Sequence, residues 1–242
     1  RLALSIGKSN FMLFHKKQAH VNIPDELHIG TESIPRVKKT KYVGMMIDEN
    51  LTWEHHISEI CNSLVKYFGV FYNIRNFINI QLARTIYYAC IYSRIQYGIE
   101  IYGSASKTQL SRLQTMQNKL LKVLTKQNRL YSTDALHRDL KILKVEHIYQ
   151  QSVLRFVHNC VIESPIEVFE NYFTSRDHVH GHNTRGSHNL VTHRARSQMG
   201  QKTTHYTGAK LWNNLGQEII NAPSKYSFKK RIFKHYIAQY AE

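Results

Sequence analysis

Four cations fall on one side of a single periodic stretch. Arg112, Lys119, Lys122 and Lys126 gather within about a 100° arc at helical spacing, with no acid interrupting them. Leu110, Leu113, Met116, Leu120, Leu121 and Leu124 gather on the opposite side. A solvated helix face usually mixes signs so that residues four apart can pair. An all-positive face suits phosphate contact, and its bland alternative is a face that only keeps the chain soluble. A second basic group, Arg185, Arg194 and Arg196, is interleaved with His178, His180, His182, His188, His193 and His205. Zinc takes Cys and His at tight paired spacing, and here no thiol lies near: Cys160 is the nearest, and Cys61 and Cys90 are remote. The histidines therefore read as additions to phosphate or base contacts. The acid pairs Asp25-Glu26 and Asp48-Glu49 sit among turn formers and read as solvated turns without catalysis. Gly44, two residues after Tyr42, is a turn or bulge glycine, or a point where another backbone approaches closely. No Gly-rich phosphate loop and no Ser/His/Asp nucleophile arrangement is present.

The elements that must carry these residues follow from periodicity. Short apolar runs at 11–14 and 40–47, with an imperfectly alternating stretch at 21–29, predict two or three short strands in a small sheet. Trp53, Ile57, Ile60, Leu64, Phe68 and Phe71 step by three and four and predict one helix, with Thr52 or Asn50 as N-cap. A second helix is expected over 81–97 and a third, the basic one, over 107–127. Further helices are expected from a cap at Thr133-Asp134 through Leu143, and over 146–161, 210–220 and 227–240. Trp53 and Trp212 sit at apolar helical positions and read as core. Residues 171–205 read as loop-rich. No internal repeat of fixed period is present.

Composition bounds what such a chain does. The 242 residues carry 33 Lys+Arg against 17 Asp+Glu, a formal charge of +16, which favours a polyanionic partner. The charge is concentrated. Residues 1–50 are nearly balanced, whereas Arg84, Arg94, Lys107, Arg112, Lys119, Lys122, Lys126 and Arg129 face the single acid Glu100 between 84 and 133. Residues 171–241 form a second basic block, eleven Lys and Arg opposed only by Asp177 and Glu218. With 42% hydrophobic residues and only 11 Gly and 4 Pro, the chain is neither a disordered basic tail nor a low-complexity sequence. Its longest apolar runs fall far short of the roughly 20 residues that span a bilayer, so no membrane partner is expected. Three widely spaced cysteines argue against a disulfide framework and fit a reducing, intracellular setting.

In order along the chain, several segments resemble the C-terminal part of a reverse transcriptase of the non-LTR (LINE-like) retrotransposon class. Lys8-Ser-Asn-Phe-Met-Leu-Phe14 looks like palm motif D. Residues 37–48, followed by Leu51-Thr-Trp53 and His56-Ile57, resemble the block that carries the primer-grip hairpin into the thumb. Tyr97-Gly98, Tyr102-Gly103, Ser106-Lys-Thr and Leu110 with Leu113-Gln114 match the helical region after it. His180-Gly-His-Asn-Thr-Arg185 is similar to a His-x-x-Asn-Thr-Arg signature, and Gly208-Ala-Lys-Leu-Trp-Asn213 and Ser227-Phe-Lys-Lys230 to the closing blocks.

The resemblance implies a fold that is mainly α with a small N-terminal β portion: a partial palm sheet over 1–50, a helical thumb over 51–130, a helical connector over 131–174 and a basic, loop-rich region over 175–242. It implies that Lys8 lies near the leaving pyrophosphate and that Tyr42 and Gly44 approach the primer. Arg112, Lys119, Lys122 and Lys126 would contact the duplex backbone, with Asn183, Arg185, Arg194 and Arg196 gripping RNA or target DNA. Such polymerases clamp the reacting oxygens between two metal ions held by carboxylates. The family's Asp-Asp turn precedes motif D, and this sequence has no Asp-Asp dipeptide. The chain, opening on Arg1, is expected to lack the catalytic carboxylates, to bind no cofactor itself and to be inactive alone. Mg2+ would serve the complete polymerase. The implied partners are an RNA template, a DNA primer or target, and the N-terminal part of the polymerase, in a nuclear or cytoplasmic ribonucleoprotein. The alternatives are a non-enzymatic nucleic-acid-binding module derived from such an element, or a decayed relic.

Overall fold

A computed structural model describes residues 5–16, 22, 24–162, 167–176 and 189–240. Two β-hairpins come first. β1 (Glu26–Ile29) pairs antiparallel with β2 (Glu32–Pro35), and β3 (Lys39–Tyr42) with β4 (Met45–Asp48), as two separate two-stranded sheets. The first hairpin buries only Ile34; Leu27 and Ile29 are exposed. The expected strand over 11–14 does not form. Phe11 makes one isolated parallel bridge to Arg36, His15 N–H donates to the Glu49 carbonyl, and Leu13 and Phe14 between them face solvent. Lys8 ends a single 3-10 turn, Ile6–Lys8, and is exposed.

Asp48 organises the passage from sheet to helix. Its side chain, 8% exposed, accepts hydrogen bonds from the backbone N–H of Asn50, Thr52 and Trp53 and from the Thr52 hydroxyl, at 3.1–3.2 Å. The solvated-turn reading of Asp48 and Glu49 is thus corrected. Asp48 caps the first long helix from outside it, a task expected of Thr52 or Asn50. Glu49 pairs with Arg36 at 2.8 Å and lies 3.5 Å from His15. Trp53 itself starts the helix in a left-handed conformation, φ 63°. The carboxylate supplies the acceptor that the missing N-cap side chain does not.

The rest is helical. α1 (Glu54–Val65) and α2 (Tyr67–Ile74) replace the single helix expected from Trp53 to Phe71, with a break at Lys66. Every residue of that stripe is still buried except Phe68, which is half-buried, because the break barely changes its periodicity. α3 (Ile80–Tyr87), capped by Asn79, runs through a π-helical turn at Tyr88–Tyr92 into α4 (Ser93–Gln96). Gly98, φ 66°, reverses the chain into α5 (Ile99–Tyr102). Ser106 caps α6 (Lys107–Leu124), and Ser132, one residue before the expected cap, caps α7 (Thr133–Leu140). α8 (Val145–Val161) packs against α5, α6, α10 (Thr204–Asn213) and α12 (Lys225–Ala238). The short α9 (Gln198–Gln201) and α11 (Gln217–Ile220) lead into α10 and α12. One continuous hydrophobic core runs from Trp53 to Tyr236 and includes both tryptophans. The fold is therefore mainly α with a small N-terminal β portion. The expected 210–220 helix is two: α10 begins earlier, at a Thr203 cap, and α11 follows after Gly216.

Candidate nucleic-acid interface

The β3–β4 hairpin turns on two residues, Val43 and Gly44, with φ of 45° and 76°. Both positive angles match the two-residue turn that suits twisted strands, and Asn-Gly is its preferred sequence. A β-branched valine there is strained. Tyr97, just past α4, donates its hydroxyl to the Val43 carbonyl at 2.7 Å and holds the tip in place. A Cβ on Gly44 would lie 3.2 Å from the same ring and hydroxyl, so glycine keeps this approach open. Tyr42 and Val43, 65% and 64% exposed, project from the tip. The strand leaving the turn is anchored at once by Met45, whose sulfur occupies the space that a Cβ on Gly98 would need.

Under the tip lies a cleft of about 440 Å3 between the hairpin, α1, α2 and α4, with Lys41, Glu59, Tyr67 and Arg94 on its walls. Lys41 faces Glu59 at 3.8 Å, and Arg94 donates to the Tyr67 hydroxyl at 3.4 Å. The π turn at Tyr88–Tyr92 inserts a residue into the helical ladder and so rotates everything beyond it by about 100°. Ser93, Arg94 and Tyr97 line this cleft from beyond that turn. His56 also lines it. Its ring is 4% exposed, burial pushes its pKa down against the opposing charge of Glu59, and Nδ1 accepts from Met46 N–H at 3.4 Å. Lys41, Tyr67, Arg94 and Tyr97 carried no signal in the periodicity, since each is an isolated residue on a different element.

The basic face of α6 is only partly as expected. Arg112 and Lys119 are exposed on it, seven residues or about 10 Å apart. Arg112 Nη1 donates to Ser58 Oγ of α1 at 3.0 Å. Lys122 is half-buried, with Nζ donating to the Arg129 carbonyl at 2.7 Å. Lys126 leaves the face. α6 ends at Leu124, two residues earlier in effect than the stripe requires, and Lys126 is left-handed, φ 58°, in the closing turn. Cations at the end of a helix also offset its dipole, which gives Lys122 a structural role beside any contact with phosphate.

The apolar side of α6 holds a surprise. Gln117 sits fully buried among its leucines, donating to the Tyr87 hydroxyl at 2.7 Å and the Leu143 carbonyl at 2.9 Å. Gln114 accepts from Val145 N–H at 2.7 Å and faces His137 at 3.3 Å.

Asn183 and Arg185, with most of the histidine cluster, lie outside the described residues. Arg194 and Arg196 are exposed. His205 does not join them. Its ring stacks on Phe173 at 5.5 Å and lies 4.7 Å from His193, and burial lowers its pKa. Among the described residues no three His, Cys, Asp or Glu side chains come together in a way that could hold a metal ion. The three cysteines are free, and no described helix is long and apolar enough to cross a membrane.

No protein-family profile matches the chain, and no solved structure matches it. Curated proteins do. The chain is 27% identical over 148 residues to a Drosophila melanogaster protein named "Probable RNA-directed DNA polymerase from transposon X-element", covering 60% of this chain and 16% of that protein. It is 26% identical over 121 residues to the corresponding protein of transposon BS from the same species, covering 49% and 13%. Against the RNA-directed DNA polymerase from mobile element jockey of Drosophila funebris it is 26% identical over 108 residues, covering 43% and 12%. The chain thus matches only 12–16% of the length of these relatives. Over that stretch it is related in sequence to the RNA-directed DNA polymerases of Drosophila mobile elements, as the resemblance to the non-LTR class implies.

Proposed function

We propose that this chain is the end of the palm, the thumb and the post-thumb region of an RNA-directed DNA polymerase, and that it holds an RNA/DNA template–primer during reverse transcription. The observation that carries this reading is the hairpin tip: a strained, exposed turn fixed by Tyr97 above a cleft walled by Lys41 and Arg94. Strain is retained where surrounding structure over-determines it, and such positions cluster at ligand clamps. Tyr42 and Gly44 are the primer-facing pair in this reading. Arg112, Lys119 and Lys122 neutralise backbone phosphates without reading sequence, and Lys126 reaches the same strand from the turn after α6. Lys8, Asn183, Arg185, Arg194 and Arg196 add contacts toward the pyrophosphate side and the template or target. The carboxylates and their Mg2+ belong to the rest of the polymerase. That remainder is also the partner for the exposed Leu13, Phe14, Leu27 and Ile29, an apolar set on the first hairpin and the segment that precedes it. The working location would be a ribonucleoprotein in nucleus or cytoplasm.

The test is binding of a labelled RNA/DNA hybrid at several salt concentrations. Replacing Lys119, Lys122 and Lys126 by Gln weakens binding and flattens the dependence of log affinity on log salt by up to about two to three units. An unchanged slope would remove these cations from the interface.

A further inference from the structure

The last helix carries charge that the template–primer contacts leave unused. α12 contains Lys225, Lys229, Lys230, Arg231 and Lys234 and no Asp or Glu. Its inner row, Phe228, Ile232 and Tyr236, is buried. Tyr226, Lys230 and Lys234, each four residues from the next, form a row about 12 Å long on the outer side. All three are exposed, Tyr226 at 75%. Among the described residues, neither Lys230 nor Lys234 pairs with an acid. Arg231, half-buried, donates to the Glu218 carbonyl and stands apart from this row. At the edge toward α8, Gln151 Nε2 donates to the Lys229 carbonyl at 3.4 Å. Burial, and then the Arg155 guanidinium of α8, lowers the pKa of Lys229, so a second cation stands where a solvated face would place an acid. Lys225, in the first turn, also opposes the helix dipole, which favours acids there. Local helix stability therefore does not account for the charge, and solubility does not account for an exposed aromatic ring among it.

We infer that the outer face of α12 is a second nucleic-acid surface, which takes a single strand with one base stacked on Tyr226 and its phosphates along Lys230 and Lys234. The inference goes beyond the template–primer reading and stands without it. α6 and α12 both pack on α7 and α8, and each turns its cations away from the apolar residues that it buries there. The cations set the sign of the ligand, and the ring chooses among polyanions. A duplex keeps its bases stacked on one another and offers Tyr226 no free face, whereas a single strand does, whatever its sequence. Lys229, with Arg155 beside it, extends the positive edge toward α8.

The experiment is fluorescence anisotropy on the 242-residue chain with a labelled oligouridylate, a single strand with little structure of its own, and separately with a short RNA/DNA hybrid. Tyr226→Ala weakens oligouridylate binding roughly fivefold or more, and Tyr226→Phe, which keeps the ring, restores it. Lys230→Gln with Lys234→Gln flattens the salt dependence of oligouridylate binding by about one to one and a half units. Hybrid affinity stays the same in all of these variants, whose changes lie on the exposed side of the helix. Oligouridylate affinity unmoved by the α12 changes overturns the surface. Equal losses for oligouridylate and hybrid make α12 part of the template–primer grip and overturn a second site. Inorganic polyphosphate that binds as tightly as oligouridylate overturns the stacked base, and binding of phosphatidylserine vesicles in place of oligouridylate assigns the face to a membrane and overturns the strand. A hybrid that does not bind counts against the template–primer reading alone, because the oligouridylate result still decides this one.

Discussion

Acidifying the protein tests whether the polar network behind α6 is what holds its inner face. His137 is fully buried, with Nδ1 3.0 Å from the Ile142 carbonyl and Nε2 3.3 Å from the Gln114 amide nitrogen. Val145 N–H donates to Gln114 Oε1, which makes that nitrogen a donor, shared with Gln117 Oε1 at 2.8 Å and Asn118 Oδ1 at 2.7 Å. Asn118 Oδ1 also lies 2.8 Å from His137 Nε2. Full burial beside Lys144 opposes a charged ring and keeps it neutral at pH 7. Burial first, then Lys144, pushes the pKa of His137 down to about 4, against the Ile142 hydrogen bond and Asp134. In the unfolded chain the ring titrates near 6.5. At pH 7 the folded ring binds no proton and only about a quarter of unfolded rings do. Below about 6.5 the unfolded state takes it up and the folded state does not, so stability falls until the folded ring also titrates near 4. Between pH 7 and 4.5 this linkage removes about 2.4 kcal/mol through His137 alone. His147, also lowered to about 4 by burial, adds in the same direction but less, since it is partly exposed. The assay is urea denaturation followed by circular dichroism, comparing the chain with His137→Asn, which keeps a donor near the Ile142 carbonyl and does not titrate. The variant is less stable at pH 7, and its deficit shrinks by about 2 kcal/mol at pH 4.5. Carboxylate titration affects both proteins and cancels. A deficit equal at the two pH values would refute the reasoning.

Two further substitutions read the hairpin and its exit. Asp48→Ala removes the acceptor for three backbone N–H groups and a hydroxyl at the start of α1, and costs about 2 kcal/mol. Thermal denaturation registers this as a fall of about 4–8 °C, and a fall below 2 °C would mean that water takes over the cap. Val43→Asn places a residue that tolerates positive φ at a strained position while keeping the carbonyl that Tyr97 holds, and raises stability by about 0.5–1 kcal/mol. A lower melting temperature for this variant would show that Val43 is not strained.

How far the sequence reached can be followed along α6. Its leucines declared a buried face and its cations an outward one, because both follow from 3.6-residue periodicity. Periodicity could not say where the helix stops, and so it placed Lys126 on a face that ends at Leu124. Nor could it admit Gln117 to the core, since a glutamine is buried only when partners from α3 and the loop before α8 arrive to meet it. Asp48 was misread for the same reason. A carboxylate beside turn formers is ordinarily solvated, and only the fold of α1 onto β4 encloses it.

By itself, then, the sequence determined the helical class, the small β portion ahead of it, the concentration of positive charge and the resemblance to mobile-element polymerases. These depend on composition, on local period and on the order of segments. Tertiary structure decided the site. The cleft under Val43 and Gly44 exists because a hairpin, two turns of α1 and the residues beyond a π turn converge, and their residues are as far apart in sequence as Lys41 and Tyr97. The burial of His56 is a property of what surrounds it, and surroundings assembled from distant segments leave no mark on any one of them.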